Sequence, residues 1–139
     1  MAFSLSENNQ SQIRIPIFHY GEMQSSGEKF NLIKDKIVTT PIPVTAKGVL
    51  YRSLYGNFPA LLLSSYDGTE DICGEIIIFE HSYITLSDIG VEKILPGMTL
   101  RWIYINHKNY QGKAITVIWE WEKDYKNPIE HGDWLRYKR

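Results

Sequence analysis

Cysteine is almost absent from this sequence: Cys73 is the single one among 139 residues. A lone thiol forms no internal disulfide, so a reducing, cytoplasmic setting is expected. A charge excess is missing as well, with 15 Lys and Arg against 16 Asp and Glu and a formal net charge of −1. Dedicated nucleic-acid and anionic-membrane binders carry a basic surplus, so neither partner is expected. No apolar run approaches the roughly 20 residues that cross a bilayer. Residues 1–12 lack the charged head and apolar middle of a secretory signal. Rich in Ser, Asn and Gln, they bury too little apolar surface to offset ordering, and a flexible arm is expected there.

Several chemistries are missing by pattern. His19, His81, His107 and His131 are scattered, and none is spaced with Cys, Asp or Glu in a known ligand pattern. No metal is expected. No glycine-rich strand–loop–helix segment offers a phosphate cradle. Ser64 and Ser65 sit in a turn sequence without triad partners, which argues against a serine hydrolase. Cys73 precedes an apolar run, where a small buried thiol is the ordinary role.

What is present is an ordinary globular composition, 43% hydrophobic and 22% charged. The length suits one domain over residues 13–139. Ile13, Ile15, Ile17 and Phe18 predict a first strand that stops at Tyr20-Gly21. Phe30, Leu32, Ile33 and Ile37 fit a short helix or irregular packing over 28–38, and Pro41 and Pro43 break what precedes them. Strands are expected over 45–51, 60–63 and 74–79, the last apolar enough for burial on both faces. The spacing over 82–95 predicts a helix, with Ser87 or Asp88 as cap and Pro96-Gly97 as stop. Residues 100–105 and 114–121 predict a hairpin around a polar loop. Trp102, Trp119, Trp121, Trp134, Tyr104 and Tyr110 could stack nucleic-acid bases, but without basic excess they are read as core and barrel packing. The expected architecture is α+β: a small mixed β-barrel with one to three short helices.

Six short segments then appear in one order: Tyr20-Gly21-Glu22-Met23, Asn31-Leu32, Lys47-Gly48-Val49-Leu50-Tyr51, Phe58-Pro59-Ala60-Leu61, Gly74-Glu75-Ile76 and Ile129-Glu130-His131-Gly132-Asp133-Trp134. Together they resemble the gamma-glutamylcyclotransferase-like family, the AIG2-like and butirosin-pathway-type cyclotransferases. The first segment is similar to Tyr-Gly-(Ser/Thr)-Leu, the fourth to Tyr-Pro-Ala-Leu, and the last to Ile-x-Ser-Gly-Asp-Trp. The resemblance implies a small barrel with a cavity at its mouth and no cofactor. It also implies a reaction: the α-amine of a gamma-glutamyl compound attacks its own γ-carbonyl, the amide C–N bond breaks, and 5-oxoproline and a free amine leave. The attacking ammonium must lose a proton and the departing amine gain one, so one positioned carboxylate serves both steps. Backbone N–H groups at the Tyr20-Gly21-Glu22-Met23 turn would hold the glutamyl carboxylate or the developing oxyanion.

Three positions depart from the family pattern. The family's catalytic glutamate lies in Leu-Asp-x-x-Glu-Gly; aligning its aspartate on Asp88 puts Val91 at the glutamate position, with Glu92 one residue later. Glu22 replaces the small hydroxyl residue, and its carboxylate opposes an anionic ligand unless a cation neutralises it. Leu100 replaces a tyrosine before Arg101. The resemblance thus implies Glu92 as general acid/base and Tyr20, Gly21, Glu22 and Met23 as the substrate cradle. The alternative is a non-catalytic small-molecule-binding member of the same fold.

Overall fold

A computed structural model describes residues 14–63, 69–80, 85–91, 93–120 and 128–138. Six strands form one sheet: β1 (Pro16–His19), β2 (Ile42–Arg52), β3 (Pro59–Leu62), β4 (Glu70–Ile78), β5 (Met98–His107) and β6 (Tyr110–Trp119). Their spatial order is β3-β2-β4-β1-β6-β5. Neighbours pair antiparallel except β1 and β6, which run parallel at Ile17 and Ile115. The sheet curls until β2 approaches β5 and β3 approaches β6. The result is a curled half-barrel with a few short helices, the expected small α+β fold. A five-residue helix α1 (Trp134–Lys138) follows a 3-10 turn at Glu130–Gly132.

Alternation along the strands builds the core on both faces of the sheet. Phe18, Leu61, Ile76 and Ile118 bury into one apolar cluster, which Ile129 and Trp134 complete. Their chain neighbours Ile17, Leu62, Ile77 and Val117 bury into a second, covered by Ile33 and Ile89. A near-continuous apolar strand such as Ile76-Ile77 is what two-sided burial demands.

The structure sharpens several sequence expectations. Residues 28–38 adopt two 3-10 turns, Phe30–Leu32 and Lys34–Lys36, rather than an α-helix. β2 runs through Pro43, which pairs with Glu75 of β4. β3 pairs only with Val49, Leu50, Tyr51 and Arg52 of β2, so near Pro43 the opposite flank of β2 pairs with no described strand and a missing N–H costs little there. The helix expected over 82–95 is, in its described part, a series of turns across 86–90. Asp88 Oδ2 accepts from the Thr85 N–H at 3.0 Å, and Gly90 takes φ +86°, a left-handed geometry that stops helix propagation. The β5–β6 hairpin turns on Lys108 and Asn109 alone, with His107 paired to Tyr110 and Gln111 already in β6.

Candidate functional site

β1 is a central strand flanked by β4 and β6, so the position and direction of its end are strongly determined. The buried Thr116 hydroxyl donates to the Phe18 carbonyl at 2.9 Å, and the buried Tyr20 hydroxyl donates to the Val117 carbonyl at 2.6 Å. Both bonds tie the end of β1 to β6. The chain then turns through Gly21, Glu22 and Met23, closed by the Gln24 N–H donating to the Gly21 carbonyl at 3.2 Å. Gly21 has a steric reason to be glycine, because a Cβ there would stand 3.2 Å from Pro59 Cγ. The N–H groups of Gly21, Glu22 and Met23 donate to no other described residue. Three successive donors without an acceptor among the described residues are available to an anionic ligand.

These residues line a cavity of about 230 Å³. Tyr20, Gly21, Glu22 and Met23 are all in its wall, together with His19, Pro59, Val91, Trp119 and Lys138. Its volume exceeds the ~150 Å³ that admits benzene and falls short of the ~300–1,000 Å³ of drug-sized sites. An amino-acid-sized group matches that range. Trp119 closes one side and stacks on Tyr55 and Phe58 at centroid distances of 5.8 and 6.0 Å.

Electrostatics divide the titratable groups of the wall. The Glu22 carboxylate accepts from the Glu28 N–H at 3.0 Å on Oε1. Its Oε2 accepts from the Trp134 indole N–H at 2.8 Å and from Lys138 Nζ at 2.8 Å. Burial pushes the Glu22 pKa up, but these three donors together outweigh it and hold the carboxyl below its ordinary value. Glu22 is therefore a hydrogen-bonded anion with little tendency to take a proton. The anion that would oppose a glutamyl ligand is neutralised by Lys138, whose own pKa the bond to Glu22 raises. The last sequence segment singled out by the resemblance thus meets the first through the Trp134–Glu22 bond, across 112 positions.

His19 is the other group of note. Burial lowers its pKa to about 4, against a weaker upward pull from the Asp88 backbone and carboxylate. The imidazole is neutral at physiological pH, and its Nε2 has no partner among the described residues. Asp88 itself is buried and lies 3.9 Å from Lys36 Nζ, so it serves the turn rather than the cavity. Val91, where the resemblance led a glutamate to be expected, lines the cavity; Glu92 lies outside the described residues. Half-buried Cys73 lines a different depression, and burial raises its pKa, with Asp133 and Asp71 adding to the effect. Among the described residues, no group of three His, Cys, Asp or Glu side chains could hold a metal ion.

Sequence reasoning missed Lys138 and His19. The basic end of α1 is legible in the sequence, but its pairing with Glu22 carries no local periodic signal. Of the tryptophans read as core, Trp119 and Trp134 are buried, Trp121 lies outside the described residues, and Trp102 is 56% exposed. Tyr104, also read as core, is 65% exposed.

Three solved structures are similar to this chain. YkqA from Bacillus subtilis aligns with a TM-score of 0.57 at 16% identity, over 91% of this chain and 41% of that one. This chain therefore spans about two fifths of YkqA. The uropathogenic E. coli-specific protein c4763 aligns at 0.60 and 14% identity, over 90% and 95% of the two chains. PH0828 from Pyrococcus horikoshii aligns at 0.54 and 16% identity, over 89% and 92%. The shared fold is gamma-glutamylcyclotransferase-like. No family profile matches the sequence, and no curated protein matches it. At such identities the likeness is one of fold. No described helix is long and apolar enough to cross a membrane.

Proposed function

We propose that the protein is a gamma-glutamylcyclotransferase-like enzyme, cleaving a gamma-glutamyl amide or peptide to 5-oxoproline and a free amine. The observation that carries this reading is the amino-acid-sized cavity lined by Gly21, Glu22 and Met23, whose N–H groups have no acceptor among the described residues. Such donors suit a glutamyl carboxylate or the oxyanion formed as the α-amine attacks the γ-carbonyl. Glu92 is the proposed acid/base, moving the proton from the attacking ammonium to the departing amine. Glu22 is unsuited to that task because three donors already engage its oxygens and its pKa is depressed.

Release of 5-oxoproline from a panel of gamma-glutamyl amides tests the reading. Turnover by the wild type that falls at least about 100-fold in Glu92→Gln is expected for a general acid/base. Turnover untouched by Glu92→Gln removes Glu92 from the mechanism. A second reading, a binding module without turnover, is favoured by Val91, which puts an apolar side chain in the cavity wall where the family has its carboxylate. Saturable binding of the same amides with no product released would establish it.

A further inference from the structure

Lys138, in the cavity wall, is a cation whose hydrogen-bonding capacity the described residues do not exhaust. An ammonium has three donors. Lys138 Nζ spends one on Glu22 Oε2 at 2.8 Å; Glu28 Oε2, at 3.9 Å, is beyond hydrogen-bond reach. The Lys138 side chain is 25% exposed, so the remaining donors are open to a ligand. Its position is restrained from two sides, by the Glu22 carboxylate and by the Trp134 ring, whose centroid lies 5.8 Å from Nζ. Glu22 is restrained in turn by the Glu28 N–H and the Trp134 indole. A flexible side chain has been given a fixed place in the wall it shares with Gly21, Glu22 and Met23, whose N–H groups have no acceptor among the described residues.

We propose that Lys138 is a ligand-binding residue that receives the carboxylate of a small amino-acid-like ligand, and that Glu22 is the positioning residue that holds it there. This rests on the gamma-glutamyl reading and names the group that selects the α-carboxylate. Charge at the wall agrees with it. Glu22 alone would repel an anion, but Lys138 cancels it, and the same lining holds one further residue of each sign, Glu28 and Lys29. An incoming carboxylate therefore meets no net negative charge and gains a charge-assisted hydrogen bond. Glu22 offers a ligand ammonium no comparable place, since its oxygens already accept three bonds.

The test is calorimetric titration of the full chain with two probes: L-glutamic acid γ-methylamide, and N-methyl-4-aminobutanamide, which is the same molecule without its carboxylate. Wild type is expected to prefer the first. Lys138→Met should weaken that probe about tenfold and leave the second unchanged, while Lys138→Arg restores most of the loss. Glu22→Gln removes the charge that holds Lys138 and keeps an acceptor for only one of the Glu28 and Trp134 donors; it should give a smaller loss on the first probe only. Where turnover is measurable, the Lys138→Met effect falls on KM, with kcat within about twofold. Melting curves of each variant separate loss of binding from loss of fold. A discriminating wild type with an unaltered Lys138→Met variant overturns the assignment to Lys138 and leaves the gamma-glutamyl reading standing. A wild type that binds neither probe and releases no 5-oxoproline overturns both.

Discussion

His19 shows how one side chain makes stability depend on pH. Its pKa falls from an ordinary 6.5 to about 4 because burial disfavours the imidazolium. Below pH 6.5 the unfolded chain takes up a proton that the folded chain refuses, so stability falls as pH drops from about 6.5 towards 4. At about 1.4 kcal/mol per pH unit the full loss approaches roughly 3 kcal/mol. Urea unfolding at pH 7 and pH 4.5 should show wild type losing about 2–3 kcal/mol more than His19→Phe. Equal losses would mean that the ring is not buried neutral. Asp88, paired at 3.9 Å with Lys36, is the anion nearest in effect, and Glu22 with Lys138, Glu28 and Lys29 share the cavity wall; all are retained in the variant. Glu22, whose pKa is lowered, contributes its own loss only as pH falls below its ordinary value of 4.5, in both proteins.

Helix α1 depends on contacts more than on its own propensity. Five residues are far too few for an isolated helix to persist in water. Asp133 supplies the start, accepting the Arg136 N–H at 3.2 Å on its side chain. Trp134 supplies the anchor: it is fully buried and its indole N–H donates to Glu22. Trp134→Phe keeps most of the apolar packing but leaves Glu22 short of one donor. An unfolding free energy lower by about 1–3 kcal/mol, read from the denaturant midpoint, is expected, as for a hydrogen bond to a charged group. The same variant should weaken carboxylate binding, since it loosens Lys138. An unchanged midpoint would show that α1 is held by packing alone. The turns over 86–90 teach the complementary lesson. Their apolar spacing reads as helical, yet the Asp88–Thr85 bond and the positive φ of Gly90 divert the chain. Local side-chain bonds compete with helix, and periodicity does not register them.

At the scale of the molecule, two tryptophans in neighbouring strands have opposite fates. Trp119 is 2% exposed at the end of β6, beside the cavity; Trp102 is 56% exposed on β5, an edge of the sheet. Trp119→Ala is expected to cost about 3–5 kcal/mol. Trp102→Ala should stay within about 0.5 kcal/mol of wild type, as surface changes do. Denaturant midpoints for the two variants check the contrast, and similar values would mean that the burial assignment is wrong. Each is flanked in the sequence by an isoleucine and a charged residue, and both suit a strand. Position in the sheet order separates them.

The sequence by itself determined the strands, because alternating and continuous apolar runs are local patterns, and the glycine turn after β1, because Tyr20-Gly21 ends such a run. Its ordered short segments pointed to a small mixed β-barrel of this fold, which the structure shows as a curled half-barrel. What only the tertiary structure decided was which groups share a wall. Glu22 and Lys138 stand 116 positions apart, and no periodicity links them; they meet at 2.8 Å because the buried indole of Trp134 brings α1 against the end of β1. The departure at Glu22, which in sequence looks hostile to an anionic ligand, becomes the support of a cation once the fold supplies its partner. Charge pairing across the molecule is a property of the folded surface, so it is settled by packing and not by order along the chain.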